Sequence, residues 1–418
     1  MTVSLRDLFQ VFLKIGLLSF GGPAAQIALM HRMLVDERAW LSEREFLNAL
    51  SFCMLLPGPE AMQLATYSGW RLHGVIGGLI AGLLFVLPGA AVIFALALLY
   101  VTYGDLPVVS MLFLGVQAVA VVIVVEALLK MSKRALHGAA HWALAGLAFA
   151  AIFFFAVPFP VIVLAAGAYG AVAATTGDDT APSPIAVSIG RSMITLLIGL
   201  ALWGLPVLAV DVLFGGTILT ELGLFFSKLA VVTFGGAYAV LAYMAQDVVV
   251  QYGWLTPTEM MDGLGLAETT PGPLILVTQF VGTLAAFRDG GYALAVAGGM
   301  MTLWVTFVPC FLWIFVGAPY IDWISAQPRL NGALRAITAA VVGVILNLSL
   351  WFALHVVFGT VTDVRTGLLR LWVPDVATLN LSALTLIALS AVLLLRLHLA
   401  IGWVLAISAS AALALAQI

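Results

Sequence analysis

The sequence predicts an all-α polytopic membrane protein made of two homologous halves, arranged as inverted-topology repeats whose helices are broken by glycine and proline. Three observations predict this class: an apolar composition, a repeat spaced by 214 residues, and a reversal of positive charge between equivalent loops. Apolar residues make up 63% of the 418 residues and charged residues 9%, against roughly 25% charged in a soluble domain. The net charge of −3 gives no indication of a nucleic-acid partner.

Several long apolar runs carry almost no charge. A helix needs about 20 apolar residues to cross a bilayer, and several runs reach that length. Examples lie at 79–101, 108–129, 143–172, 192–214 and 383–416. The chain is therefore expected to be a multi-pass protein of the cell inner (plasma) membrane, with the lipid bilayer as its surroundings.

The repeat is the most informative feature of the chain. Residues 12–59 and 226–273 align without a gap, and 16 of 48 positions are identical. The shared positions include Phe-Gly-Gly at 20–22 and 234–236 and Pro-Gly-Pro at 57–59 and 271–273. Glycine- and proline-interrupted segments at matching places in two apolar halves are typical of transporter substrate sites.

The chain divides into four parts. We expect a first membrane repeat at 1–174, a polar linker at 175–190, an extra transmembrane helix at 191–215 and a second membrane repeat at 216–418. If each repeat crosses the membrane an even number of times, the extra helix turns the second repeat upside down.

The distribution of arginine agrees with inversion. Three arginines lie between 32 and 44, whereas the equivalent loop at 245–258 has no lysine or arginine. Because basic residues concentrate in cytoplasmic loops, the two loops are expected on opposite sides. Arg71 and Arg288 fit this pattern less well.

The Gly-Gly and Pro-Gly-Pro motifs are expected to break helices within the membrane, and the broken segments are candidates for re-entrant helices. Proline removes a backbone donor, and broken backbone at membrane depth must be buried or line a cavity. The amides of a half-helix N-terminus then form an anion site; the alternative is a hairpin needed only for packing. The substrate-binding candidates from these motifs are Gly21, Gly22, Pro57, Gly58, Pro59, Gly235, Gly236, Pro271, Gly272 and Pro273.

Polar residues near the breaks are also paired between repeats. Lys14 and Lys228 each stand six residues before a Phe-Gly-Gly motif, and an ionisable residue within a membrane segment is a functional candidate. The alternative is a lysine that extends to the interface from a helix end. Ser19 and Thr233 are equivalent and could donate hydroxyls to an oxyanion.

Four carboxylates suggest two roles. Glu60 and Glu268 each lie within a few residues of a Pro-Gly-Pro motif and are candidates for proton coupling, because a carboxylate repels an anion unless it is protonated. Glu45 and Glu259 are repeat equivalents, for which helix capping or ion pairing is favoured over proton coupling.

Other residues have structural interpretations. Gly74, Gly77, Gly78, Gly82 and the 298–299 pair have the spacing of tightly packed helices. Glu126 and Lys130 have the spacing of a helical ion pair.

Cofactor chemistry is not indicated. Cys53 and Cys310 lie far apart in apolar surroundings and suggest neither a disulfide nor a metal site. The chain has no phosphate-binding loop, dinucleotide fingerprint or nucleophile elbow. We therefore expect no enzyme activity, catalytic residues, metal, cofactor or ATP drive within the chain.

The combined pattern resembles the chromate ion transporter family in its long two-domain form. The resemblance rests on sequences in both halves and covers nearly the whole chain except the linker and extra helix. They are Phe20-Gly21-Gly22-Pro23-Ala24-Ala25, Trp40-Leu41, Leu55-Leu56-Pro57-Gly58-Pro59-Glu60 with Gln63-Leu64-Ala65, Thr233-Phe234-Gly235-Gly236, Glu268-Thr269-Thr270-Pro271-Gly272-Pro273 and Phe280-Val281-Gly282.

The resemblance implies chromate efflux through two inverted halves, chromate resistance, and sulfate as a structural analogue of the substrate. It adds Gln63 to the substrate-binding candidates. One departure from the family is Cys53-Met54, where a glutamine is expected ahead of the first Pro-Gly-Pro; if that side chain contacts substrate, selectivity differs here.

The predicted function is a secondary transporter that exports chromate. The alternatives left open are a transporter of sulfate or another small anion, and an anion channel without coupling. The coupling ion and a homodimeric state are also open.

Overall fold

The computed structural model of the protein describes residues 3–104, 106–174, 189–234, 237–325 and 327–415. The chain forms two compact units, and each unit takes segments from both repeats. The first unit consists of Met1–Leu98, Ala174–Ala237 and Thr270–Asn331, and the second of Leu99–Ala173, Tyr238–Thr269 and Gly332–Ile418. Most of the predicted linker lies outside the described residues, and the division of the chain at that linker stays a prediction.

Helices make up most of the described part of the first repeat. They are α1 (Leu5–Leu18), α2 (Gly22–His31), α3 (Glu43–Cys53), α4 (Glu60–Tyr103), α5 (Pro107–Ala135), α6 (Ala139–Phe155) and α7 (Phe159–Ala173). The predicted extra helix follows as α8 (Ile189–Phe214).

The described part of the second repeat presents counterparts of α1–α7 in the same order, with one short helix added. They are α9 (Ile218–Val232), α10 (Ala237–Gln246), α11 (Pro257–Thr269), α12 (Val277–Gly317), the short α13 (Ile321–Ser325), α14 (Pro328–Val357), α15 (Leu381–Ala391) and α16 (Ile401–Leu415). Even a one-turn π-helix recurs, at Arg32–Asp36 after α2 and at Asp247–Gln251 after α10. The sequence repeat is therefore also a structural repeat.

Both long helices, α4 and α12, reverse direction. The backbone leaves the helical conformation at His73–Gly74 and at Gly290–Gly291, where Gly74 has φ +59° and Gly291 has φ +72°. A Cβ at Gly82 would overlap the side chain of Thr66, although 16 residues of straight helix would separate these positions by about 24 Å. Each long helix is therefore two antiparallel arms, at 60–72 and 75–103 in α4 and at 277–289 and 292–317 in α12.

Two predicted spans are each divided into two helices. The run at 143–172 is broken between α6 and α7, where Ala156 has φ +52° and Pro158 cannot continue the helix. The run at 383–416 is broken between α15 and α16, where His398 has φ +51°. The expectation that each run forms one continuous helix was wrong.

Glycines in the second arm of α4 support close packing, as predicted. A Cβ at Gly77 would overlap the backbone of Gly69, and one at Gly78 would lie 2.6 Å from the Phe315 ring. The packing prediction is wrong for Gly74, since a Cβ added there would have nothing within 4 Å and this residue instead forms the reversal.

Five helical segments among the described residues are long and apolar enough to cross a membrane. They are Glu60–Tyr103, Pro107–Ala135, Gly190–Phe214, Leu274–Tyr320 and Pro328–Val357. Four further apolar helices are shorter. The helical multi-pass prediction is confirmed.

The extra helix α8 packs on α12 through two tryptophans. The Trp203 Nε1–H donates to the Val305 carbonyl at 3.0 Å, and the Trp304 Nε1–H donates to the Leu202 carbonyl at 2.9 Å. An indole N–H is a hydrogen-bond donor only, and these two bonds join the two helices.

A β-hairpin stands between α14 and α15. Strands β1 (Val361–Thr366) and β2 (Leu369–Pro374) are antiparallel. The Arg370 guanidinium lies 4.2 Å from the Trp372 ring centroid and its Nε lies 3.3 Å from an Asp363 carboxylate oxygen. The hairpin adds a small β element to the predicted all-α fold.

Candidate functional site

The two repeats exchange the same hydrogen bond at their broken helices. The Gly58 N–H donates to the Thr233 carbonyl at 2.9 Å, and the Gly272 N–H donates to the Ser19 carbonyl at 2.9 Å. Gly58 and Gly272 are repeat equivalents, as are Ser19 and Thr233. Each Pro-Gly-Pro motif is therefore held by the residue that precedes the Phe-Gly-Gly motif of the other repeat.

Local conformation explains why these positions are glycine. Gly58 has φ +123° and Gly272 has φ +90°, a region that residues with a Cβ rarely adopt. The flanking Pro57, Pro59, Pro271 and Pro273 have no N–H, so the glycine supplies the amide donor of each motif. Both motifs interrupt helices, because α3 ends at Cys53, α4 begins at Glu60 and α11 ends at Thr269. That the breaks lie within the membrane stays a prediction.

The second arms of α4 and α12 contact the two Pro-Gly-Pro motifs. A Cβ at Gly89 would overlap the Pro271 carbonyl oxygen, and a Cβ at Gly58 would lie 2.9 Å from the Cys310 Sγ. Gly89 follows Pro88 and Cys310 follows Pro309, so each arm covers the opposite repeat's motif with a residue next to a proline.

Ser19 and Thr233 end α1 and α9. Their hydroxyls donate to the Ile15 and Leu229 carbonyls, each at 2.6 Å. Both residues are buried, with exposed fractions of 1% and 3%. In this arrangement their carbonyls bridge the repeats while their hydroxyls are occupied by the preceding helical turn.

Two buried glutamines complete the breaks. Gln26 Nε2 donates to the Gly272 carbonyl at 2.7 Å and to the Ser19 carbonyl at 3.4 Å. Gln63 Nε2 donates to the Pro57 carbonyl at 2.8 Å. The Oε1 atom of each glutamine is buried without a hydrogen-bond partner, so each break contains an unused acceptor. Sequence reasoning missed Gln26, although a glutamine four residues into a mostly apolar helix was a detectable signal.

Lys14 lies in a cleft of about 890 Å³ in the first unit. Its lining includes Asp7, Gln10, Arg38 and Trp40. The Lys14 side chain is exposed, so it can reach a ligand in the cleft. Lys228 is likewise exposed on α9.

The N-terminus of α2 has no side-chain cap. Gly21 precedes it with φ +86°, Gly22 has φ +77°, and Pro23 stands in the first turn. Uncapped amides at a helix start attract anions. The equivalent Gly235 and Gly236 lie outside the described residues.

Comparison with known proteins gives the family. The family model described as "Chromate transporter" matches residues 6–171 and 220–415. The chain belongs to the chromate transporter family. The transporter's two matched regions are separated by residues 172–219, which contain the predicted linker and all of α8.

Three relatives cover most of the transporter. It is 36% identical to a "Chromate transport protein" of Pseudomonas aeruginosa over 348 residues, covering 82% of this chain and 80% of the relative. It is 31% identical to a "Probable chromate transport protein" of Synechococcus elongatus (82% and 83% covered) and 29% identical to a "Chromate transport protein" of Cupriavidus metallidurans (88% and 87% covered). No solved structure matches the chain.

The family is one of transport proteins and not of enzymes. Among the described residues, no group of three or more histidine, cysteine or acidic side chains is arranged to hold a metal ion.

Two of the predicted carboxylates cap helices. Glu45 accepts from the Ser42 N–H at 3.0 Å while the Ser42 hydroxyl accepts from the Glu45 N–H, and Glu259 and Thr256 repeat this pattern. The Ser42 hydrogen bonds hold the pKa of Glu45 below its usual value. The capping interpretation is confirmed. The predicted ion pair of Glu126 with Lys130 is also present, at 2.7 Å.

The two candidates for proton coupling differ in environment. Glu60 is the first residue of α4 and is partly buried. Glu268 lies near the end of α11 with 4% exposed, and accepts from the Tyr238 hydroxyl at 2.8 Å. A buried carboxylate that sequence reasoning missed, Asp262, lies six residues earlier on α11.

Proposed function

We propose that this protein is a secondary transporter that exports chromate, a tetrahedral oxyanion, across the cytoplasmic membrane and so confers chromate resistance. Chromate is proposed as the substrate because the relatives are named chromate transport proteins. The backbone amides at the broken helices are suited to binding an anion. The exchange of hydrogen bonds between Gly58 and Thr233 and between Gly272 and Ser19 is the observation that carries the proposal.

This exchange supports two repeats related by a two-fold axis. In a two-fold contact, the same pair of positions meets twice with the roles of the two copies reversed. The reversal of arginine between the loops at 32–44 and 245–258 favours an axis in the membrane plane. The short arms at 60–72 and 277–289 then act as re-entrant segments, because about 20 Å of helix is less than the roughly 30 Å hydrocarbon core.

The anion is bound by amides and cations together. The open N-terminus of α2 at Gly21 and Gly22 offers backbone N–H groups, and the broken segments at Pro57–Pro59 and Pro271–Pro273 provide the corresponding backbone in each repeat. Lys14 and Lys228 supply positive charge from equivalent positions on α1 and α9. A doubly charged oxyanion leaving water needs both, since an unpaired buried charge costs several kcal/mol or more.

Coupled transport is favoured over a channel because carboxylates accompany the breaks. Glu60 and Glu268 can take up protons as the anion moves. Sulfate has the same tetrahedral shape and charge as chromate, so a site built from these groups should accept both.

Chromate uptake into inverted membrane vesicles tests the proposal. An exporter accumulates chromate in such vesicles, and excess sulfate should reduce the initial rate while planar nitrate should not. Vesicles without the protein give the background. Equal chromate uptake with and without the protein would refute the proposal, and saturating uptake of sulfate alone would reassign the substrate.

A further inference from the structure

Asp262 is a buried carboxylate held by two donors from other helices. Its side chain is on α11 with 2% exposed. One carboxylate oxygen accepts from the Tyr100 hydroxyl at 2.7 Å, and the other accepts from Gln117 Nε2 at 2.8 Å. Gln117, on α5, is itself buried with 7% exposed. All three residues belong to the second unit.

In the described part of the chain, no lysine, arginine or histidine forms an ion pair with Asp262. The other titratable groups near it are Tyr100 from α4 and Glu259, one turn earlier on α11. Helix α16 also packs on α11 and carries no ionisable residue, and the first on α5 beyond Gln117 is Glu126, nine residues away.

The hydrogen-bond partners of Asp262 suit both of its protonation states. Ionised, it accepts from both donors, as observed. Protonated, it must donate one bond, and rotation of the Gln117 amide would present an oxygen acceptor in place of the Nε2 donor. A tyrosine hydroxyl can likewise donate or accept. Each oxygen of the Asp262 carboxyl group therefore keeps a hydrogen-bond partner in both protonation states.

The repeat equivalent of Asp262 cannot do this. Position 48, which is 214 residues earlier, is asparagine, and Asn48 is exposed on α3. Asparagine has nearly the shape of aspartate but does not titrate. At this position, α11 thus has an ionisable side chain and α3 does not, although both helices lead into a Pro-Gly-Pro break.

We propose that Asp262, with Tyr100 and Gln117, is a further proton-binding site that coupled transport requires, in addition to the candidates Glu60 and Glu268. This proposal rests on the proposed function, because it assigns the coupling of that same transport. Helix α11 leads from Asp262 to the break at Thr270 and Pro271 along the chain. Proton binding changes the hydrogen bonds that hold α11 to α4 and α5. Because α11 leads directly into the second Pro-Gly-Pro motif, this change acts on the helix that precedes the break.

Full-length protein in liposomes tests the site with two measurements. Exchange of chromate across the membrane at equal pH reports binding and movement of the anion, and accumulation driven by a pH gradient reports coupling. Asp262→Asn should retain exchange within about twofold and lose gradient-driven accumulation by at least about tenfold. Asp211→Asn, at an exposed carboxylate near the end of α8, should retain both.

The exchange and accumulation measured for the wild-type protein distinguish a failure of the proposed function from a failure of the proton site. If it shows no chromate exchange, the proposed function fails. If it exchanges and accumulates chromate and Asp262→Asn accumulates it equally well, the proton site is refuted while the proposed function stands.

Tyr100→Phe is decisive if Asp262→Asn does not fold. Removing the hydroxyl donor destabilises the ionised carboxylate. The pH at which accumulation is half-maximal should then rise by about one unit. An unchanged pH midpoint in Tyr100→Phe would overturn the assignment.

Discussion

Gly89 lies so close to the carbonyl of Pro271 that a methyl group on Gly89 would overlap the carbonyl oxygen. The second arm of α4, from the first repeat, thus covers the Pro-Gly-Pro motif of the second repeat. Because the contact involves backbone on one side, it cannot be relieved by a side-chain rotation.

Gly89→Ala should displace the second Pro-Gly-Pro motif. Overpacking of this kind costs about 1–3 kcal/mol, so we expect a lower melting temperature in detergent and loss of chromate uptake. The matched control is Gly204→Ala on α8, where nothing lies within 4 Å of the added Cβ. Alanine there should be neutral or stabilising by up to about 1 kcal/mol. Equal behaviour of the two variants would contradict the close contact.

Lys14→Gln and Lys228→Gln should weaken the interaction with the anion. Each removes a positive charge while keeping a polar side chain, so we expect the apparent constant for chromate to rise at least about fivefold, equivalent to about 1 kcal/mol. The Lys→Arg variants should be tolerated better because they keep the charge.

Lys133→Gln, near the end of α5, is the matched control for the lysine variants and should leave the constant unchanged. Membrane insertion should be normal in all of them. If neither Gln variant at 14 or 228 changes the constant, the lysines act as interface anchors.

The loops that contain Asp36 and Gln251 should lie on opposite sides of the membrane. Single cysteines at these positions can be labelled with an impermeant maleimide in intact cells and in inverted vesicles. The two native cysteines, Cys53 and Cys310, are buried with 0% and 1% exposed, so the background should be low. Labelling of both positions from the same side would rule out inverted repeats.

Gln26→Leu should destabilise the break that joins Ser19 to Gly272. The substitution removes the donor to two buried carbonyls, and such a loss costs about 1–3 kcal/mol. Thermal unfolding in detergent should show this as a lower midpoint. Gln251→Leu, at an exposed position, should change stability by less than about 0.5 kcal/mol.

The helix breaks could be predicted because their cause is local. Proline lacks a donor, and glycine adopts a positive φ, wherever they occur in the chain. The capping of α3 by Ser42 and Glu45 and the Glu126–Lys130 pair were predictable for the same reason, since each depends on residues three or four positions apart.

The remaining features depend on contacts that are distant in the sequence. The reversals at Gly74 and Gly291 fall within glycine-containing apolar segments that also suit straight helices, and the turns at Ala156 and His398 occupy a left-handed conformation without glycine. The meeting of Asp262 with Tyr100 and Gln117 spans 162 and 145 residues. No local pattern predicts such pairings.

The crossed bonds at Gly58 and Gly272 also bear on how such a chain could arise. A protein of half this length would leave its glycine amide without the carbonyl partner that it has here, and pairing with a second copy would restore that partner. Duplication and fusion would make that contact internal. Once fused, the two copies of a position can diverge, as Asp262 and Asn48 have done on the two helices that precede the breaks.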